Sequence, residues 1–195
     1  EKIKNSNLFK NLILNGSVED NGTAIGAGIT ASLQIGTKRK SSPITDYYGK
    51  VYKENEIINS LKNSELKYKI LTFEEKIDVA AELISKNKVL GWFQGKSEFG
   101  PRALGNRSIL ANPTSSSTKH ILDHYMKLRD SSKTYRLLNF LYKKVNEKIG
   151  VPILLNTSFN RPGEPIVETP SDALTSFSKG SLDYLFIENI LISRN

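Results

Sequence analysis

From Glu54 onward, short apolar runs alternate with segments of helical period, and this alternation constrains the fold more than any other feature of the chain. Glu54–Asn63 reads as a helix, and Lys67–Leu71 as a strand with Tyr68 and Ile70 on one side. Thr72 with Glu75 three residues later is a capping box, opening a helix whose inner face carries Ile77, Ala80, Ala81 and Ile84. Val89–Phe93 is a strand, followed by a glycine-rich loop and a second strand at Ser108–Ala111. Lys119–Leu128 and Tyr135–Ile149 read as helices, with Gly150 as a stop and Val151–Leu155 as a short buried strand. Thr169-Pro170 with Asp172 opens a last helix through Phe177, and Tyr184–Ile187 and Ile190–Ser193 finish as strands. Strands alternating with helices define the α/β class.

The residues before this alternation behave differently. Asn11–Asn15 reads as a short buried strand. Gly22–Gln34 is small and apolar, a tightly packed helix or a glycine-rich turn leading into one, with Gly22 and Gly26, and Ala24 and Gly28, permitting close backbone approach. Lys38-Arg39-Lys40 followed by Ser-Ser-Pro is a solvated linker, so a domain boundary is placed after residue 40. Forty residues cannot make a domain alone, so residues 1–40 are expected to belong to a larger one.

Composition removes whole function classes. Cysteine is absent, which excludes disulfide scaffolds, thiolate zinc sites and cysteine nucleophiles. His120 and His124 are the only histidines, too few for most His-based triads or metal centres. They lie one turn apart, but Asp123 faces another side, so a helix surface is the favoured reading. The longest apolar runs are a few residues, whereas a membrane helix needs about 20. No secretory signal opens the chain, so a cytoplasmic location is expected. The net charge is +8, from 28 basic and 20 acidic residues. Residues 119–148 alone hold eight Lys or Arg against three acids. An anionic partner follows, either nucleic acid or small phosphorylated ligands.

Three segments can carry chemistry. Gly91 to Ser108 (GWFQGKSEFGPRALGNRS) follows a strand and offers backbone amides and arginine forks, both suited to anions. Its Gly91-x-x-x-Gly95-Lys96-Ser97 mimics a phosphate-binding P-loop but has three residues between the glycines where the motif has four, and Pro101 interrupts the helix that should follow. An ordinary glycine-rich connecting loop is the competing reading. Asn156 to Pro165 (NTSFNRPGEP) follows a buried strand, where α/β sheets place ligands. Asn156, Ser158 and Asn160, at spacing two, could face one ligand while Phe159 packs inward; self-capping Asx turns would use the same residues. Lys127-x-Arg129 ends a predicted helix, where cations also stabilise the C-terminus without any ligand.

Together these motifs resemble the O-carbamoyltransferase family of nodulation and antibiotic-modifying enzymes. The resemblance runs through residues 91–110, Lys127-Leu128-Arg129, Pro152–Asn160, Gly163–Val167, Ser171-Asp172-Ala173 and Leu182-Asp183. Residues 20–27 (DNGTAIGA) are similar to the last stretch of that family's first domain. The resemblance implies a two-domain enzyme, of which this chain holds the C-terminal part. Residues 41–195 would form a YrdC-like open twisted sheet with flanking helices. Residues 1–40 would be a fragment of an actin/hexokinase-like domain that binds a metal, Fe or another divalent ion, with Asp20 completing the site. The YrdC-like domain would use ATP with Mg and carbamoyl phosphate to form carbamoyl-adenylate, releasing pyrophosphate and phosphate. The first domain would then pass the carbamoyl group to a hydroxyl of a small molecule or sugar. By the same resemblance Lys96, Ser97, Arg102, Arg107, Ser108, Lys127, Arg129, Asn156, Ser158 and Asn160 would hold the phosphates, with Arg102, Arg107 and Ser158 at the chemistry. A homodimer is left open.

The chain also departs from that pattern. Family members carry a longer stretch after Lys-x-Arg, with an Arg-Pro-Phe-Ala-Pro motif, whereas here Arg129 is followed almost directly by Tyr135 to Leu138. Two other readings therefore stand beside the enzyme: an RNA-binding module using the basic 119–148 stretch, and a non-catalytic relative.

Overall fold

A computed structural model describes residues 8, 20–38, 45–62, 64–115, 136–151 and 153–194. The chain divides into two compact units, Glu1–Tyr48 and Gly49–Asn195. In the first, Asp20–Gln34 forms helix α1, so the helical alternative for the glycine-rich segment is the one adopted. Its end is closed by Gly36 at φ 80° and by Thr37 N–H donating to the Ser32 carbonyl at 3.0 Å. Among the described residues, a Cβ added at Gly26 or Gly28 would meet nothing within 4 Å. The strand expected at Asn11–Asn15 and the helix expected at Lys119–Leu128 lie outside the described residues.

The second unit contains α2 (Glu54–Leu61), β1 (Lys67–Ile70), α3 (Phe73–Ser85), β2 (Leu90–Phe93), β3 (Arg107–Ala111), α4 (Arg136–Ile149), β4 (Leu155–Ser158), α5 (Pro170–Lys179), β5 (Tyr184–Ile187) and β6 (Ile190–Ser193). The six strands form one open sheet in the order β1-β6-β5-β2-β3-β4. β2 and β5 pair in parallel and every other pairing is antiparallel. Asp183 sets the start of the parallel pair. Its carboxylate accepts from the Val89 amide at 2.8 Å and from Lys88 Nζ at 3.1 Å, while its own amide donates to the Val89 carbonyl.

Strand alternation divides the core between two faces. Phe93, Ile109, Leu185, Ile187 and Ile192 point toward α2 and α5, joining Ile57, Leu61, Ala173 and Phe177. Leu90, Trp92, Leu110 and Phe186 point the other way, joining Ile77, Ala80, Ala81 and Ile84 of α3 and Leu141 and Val145 of α4. The result is an α/β/α sandwich around an open sheet. Helices α3 and α4 run in the same direction: Phe73 meets Phe140 edge-on, Lys144 reaches Asp78 and Lys148 reaches Glu82. The capping box at Thr72 forms in full, with the Glu75 amide donating to Thr72 Oγ1 at 3.2 Å and the Thr72 amide to Glu75 Oε2 at 2.7 Å. Thr169 and Asp172 repeat the arrangement at the start of α5. No helix among the described residues is long and apolar enough to cross a membrane.

One strand sits further along the chain than its apolar residues imply. The apolar run predicts Val151–Leu155, but β4 is Leu155–Ser158. Pairing decides this. β3 offers partners from Ala111 back to Ser108, and these take Leu155 through Ser158 in register, polar residues included. Hydrophobic pattern alone does not reveal a strand that carries Asn156 and Ser158 on its face.

Candidate functional site

The glycine-rich segment between β2 and β3 is a closed loop held by its own carboxylates. Glu98 Oε1 accepts from the amides of Leu104 at 2.7 Å, Asn106 at 2.6 Å and Arg107 at 3.2 Å. Glu188 Oε1 accepts from the Gly95 amide at 2.6 Å. Gly100 and Gly105 take φ values of 121° and 103°, which side chains rarely allow. Converging amides are the feature that makes glycine-rich loops bind anions. Here those amides already hold anions belonging to the protein itself, so the anion cradle expected from them is filled from within.

Arg107 completes this closure. Its side chain is fully buried, with Nη1 donating to the carbonyls of Gln94 at 2.8 Å and Asn106 at 3.0 Å, and Nη2 to Gly95 at 3.2 Å. The guanidinium lies 3.5 Å from the centre of the Phe93 ring. Burial pushes its pKa down, opposed by the field of Glu98. Three of the guanidinium's donor contacts go to backbone carbonyls and hold the loop, while Nε is buried without a partner among the described residues.

The next residue along β3 points the other way. Ser108 is paired with Trp92 of β2 on one side and with Ser158 of β4 on the other, so the three side chains form a row across the sheet face covered by α3 and α4. Asn156 shares that face one pleat further along β4, opposite Leu110. The row lies at the carboxyl end of β2, β4 and β5, the position where open α/β sheets hold ligands. Ser108 Oγ and Trp92 Nε1 are buried without a hydrogen-bond partner among the described residues.

Over this row stands Lys76, in the first turns of α3. It is 2% exposed, and its Nζ lies 4.7 Å from the centre of the Trp92 ring. Burial lowers its pKa from 10.5 to about 8, with Glu188 pulling in the opposite direction. Its place among Ile77, Ala80, Ala81 and Ile84 on the buried face makes it the one charged side chain in that stripe.

The predicted site residues therefore separate into groups. Ser108, Asn156 and Ser158 come together on the α3/α4 face. Arg107 lies on the opposite face. Lys96 and Arg102 are exposed on the β2–β3 loop and Ser97 is buried there. Asn160 lies beyond β4 and donates through Nδ2 to the carbonyls of Arg161 at 3.2 Å and Glu164 at 2.9 Å, the self-capping alternative for this segment. Lys127 and Arg129 lie outside the described residues, as does the side chain of Asp20, which opens α1. Among the described residues no three His, Cys, Asp or Glu side chains come together to hold a metal. Sequence reasoning missed Lys76, Trp92 and the clamp carboxylates Glu98 and Glu188. A lysine on the apolar stripe of α3 was the available signal for the first.

The open sheet with helices on both faces defines the class, an α/β domain with a polar row at the carboxyl ends of its strands. A protein-family model described as "Carbamoyltransferase C-terminus" matches residues 81–136 and 131–194, more than half of the chain, and the chain belongs to that family. It is 31% identical to an uncharacterized protein of Methanocaldococcus jannaschii, over 95% of this chain and 41% of that protein. It is 28% identical to the nodulation protein NolNO of Sinorhizobium fredii, over 99% of this chain and 37% of that protein. It is also 28% identical to the 3'-hydroxymethylcephem-O-carbamoyltransferase of Streptomyces clavuligerus, over 59% of this chain and 20% of that enzyme. The chain thus spans less than half the length of the relatives it matches.

The first two alignments run over 255 and 258 positions although the chain has 195 residues, so these relatives carry a stretch with no counterpart here. The two family matches meet at residues 131–136, directly after Arg129, where the sequence departs from the family pattern.

Proposed function

We propose that this chain is the carbamoyl-adenylate-forming part of an ATP-dependent O-carbamoyltransferase, residues 1–40 being the end of the domain that receives the carbamoyl group. Carbamoyl phosphate and Mg-ATP would be the substrates of this part, and a hydroxyl-bearing small molecule the final acceptor. The observation that carries the reading is the family match across 81–194, coinciding with the Ser108–Ser158 row. Water would cleave carbamoyl phosphate to carbamate and phosphate, and the carbamate oxygen would displace pyrophosphate from the α-phosphorus of ATP.

The chain's own contribution is positioning and charge neutralisation, which dominate phosphoryl-type chemistry. Ser158 and Ser108 offer hydroxyls from adjacent strands. Lys96 and Arg102 offer cations from a loop whose backbone Glu98 and Arg107 hold in place, and Lys127 and Arg129 would add further positive charge.

The test is pyrophosphate release by the complete protein. Release should require carbamoyl phosphate and fall in Arg102→Ala and in Ser158→Ala. Release independent of carbamoyl phosphate, or variants equal to wild type, would sink the proposal.

A second reading rests on the stretch that the relatives carry and this chain lacks: a domain that binds nucleotide without completing the transfer. Saturable ATP binding by the complete protein, with no pyrophosphate release under any carbamoyl donor, would favour it. The basic stretch gives little support to nucleic-acid binding. In its described part Lys144 pairs with Asp78 at 3.4 Å and Glu147 at 3.5 Å, and Lys148 with Glu82 at 2.8 Å.

A further inference from the structure

Lys76 Nζ, the indole N–H of Trp92 and the hydroxyl of Ser108 gather on the α3/α4 face, where the acceptors at hand are the hydroxyls of Ser108 and Ser158 and the amide oxygen of Asn156. Lys76 Nζ stands over the Trp92 ring, and the indole N–H of Trp92 is buried without a partner. Ser108 Oγ, on the residue paired with Trp92 across the β2–β3 ladder, is also buried without one. Lys76 is 2% exposed, with the Trp92 ring 4.7 Å from its Nζ and the field of Glu188 acting on it. Buried polar groups are normally satisfied, and each exception calls for an explanation. A buried ammonium is more demanding still.

The surrounding charges do not resolve it. On α3, Glu75 is committed to the helix cap and Asp78 to Lys144. On α4, Lys144 and Lys148 are taken by Asp78, Glu147 and Glu82. Glu188, in the β5–β6 turn, reaches Lys76 through its field, while its Oε1 holds the Gly95 amide. Adjacent strands lie about 4.8 Å apart, so Trp92, Ser108 and Ser158 are successive neighbours. Ser158 is only half-buried and provides the solvent side of the row.

We infer that Lys76, Trp92 and Ser108 form an oxyanion subsite, entered past Ser158, that takes a phosphoryl oxygen of the ligand. Its ligand class rests on the carbamoyl-adenylate reading. The donors supply what an anionic oxygen needs: a cation, an indole N–H and a hydroxyl. Lys76 is then a binding residue that nothing in the family motifs marks. A bound anion favours the charged ammonium and so raises the Lys76 pKa from its free value of about 8.

Trp92 is the only tryptophan in the chain, so its fluorescence reports this subsite directly. In the complete chain, inorganic phosphate and pyrophosphate, titrated against chloride at matched ionic strength, should each be tried at neutral pH. A saturable change in Trp92 emission is expected with at least one of them. Tighter binding of phosphate points to the acyl-phosphate donor as the source of the oxygen, and tighter binding of pyrophosphate to the nucleotide. Lys76→Met should weaken binding at least tenfold and Ser108→Ala severalfold. The free protein's emission should titrate with a midpoint of about 8, move to higher pH with anion bound, and lose the transition in Lys76→Met.

No response to either anion, or equal affinity in wild type and both variants, overturns the inference. If Lys76→Met does not fold, Ser108→Ala and the wild-type pH shift decide alone. Anion binding lost in the variants, in a protein that releases no pyrophosphate, would keep the subsite and sink the carbamoyl reading. Carbamoyl-phosphate-dependent release unchanged by Lys76→Met would do the reverse.

Discussion

Replacing Arg107 with methionine tests whether this arginine serves the loop or a ligand. The substitution keeps most of the side-chain length and removes the guanidinium. It strips partners from the carbonyls of Gln94, Gly95 and Asn106 and leaves Glu98 without the neighbouring positive charge. Removing one partner from a buried charged network costs about 3–5 kcal/mol. Part of that is returned, because burial disfavours the arginine's own charge and methionine carries none. The expected net loss is about 3 kcal/mol, a large share of the roughly 5–15 kcal/mol that holds a domain folded. With a urea slope of about 2 kcal/mol per molar, the unfolding midpoint should fall by about 1.5 M. The assay is urea unfolding followed by Trp92 fluorescence, with Arg102→Ala as the exposed control, expected to leave the midpoint in place. Arg107→Lys should recover only part of the loss, since an ammonium cannot reproduce the fork that meets three carbonyls. A midpoint for Arg107→Met within about 0.3 M of wild type would refute the argument that the guanidinium holds the loop.

Three further outcomes follow from the geometry. The Glu82 carboxyl, hydrogen-bonded to Lys148 and Lys86, is held at about 2, below its ordinary 4.5. Its contribution is therefore present above pH 4.5 and lost as pH falls toward 2, so Glu82→Gln should flatten that part of the acid-stability curve; identical slopes in thermal melts would contradict it. For Lys76 the slope has the same sign but another cause, burial that disfavours the charged ammonium. Its folded value of about 8 lies below the unfolded 10.5, so wild-type stability should rise with pH across that window; Lys76→Met should remove the rise and raise the melting temperature below pH 8. At Gly49 an added Cβ would stand 1.8 Å from Ser97 Oγ and 2.6 Å from the Ser97 amide nitrogen. Gly49→Ala should accordingly cost about 1–3 kcal/mol in chemical denaturation, and an unchanged midpoint would show that the two segments can separate freely.

What could be read from the chain alone was local. The capping box at Thr72 and the helix start at Thr169-Pro170 are sequence signals, and both form as expected, the second also as a capping box. The alternation from Glu54 to Ser193 specifies the α/β class, because each short apolar run or amphipathic segment selects its own backbone period. The family motifs likewise located the β2–β3 loop and the β4 region, and the family match covers both.

The tertiary structure decided how those pieces are used. β4 slid onto Asn156–Ser158 because β3 offered partners there, which no apolar pattern records. Arg107 and Ser108, adjacent in sequence and both expected to hold phosphates, part to opposite faces because side chains alternate along a strand. Whether an arginine's donors meet a ligand or three carbonyls depends on how the loop folds back. Glu98 shows the same dependence: its carboxylate fills the amides that glycines made available. Lys76 became a buried cation only when α3 settled over Trp92, a residue on another element. Residue type and spacing determine local conformation, whereas burial and partnership are properties of long-range packing and exist only once the sheet has assembled.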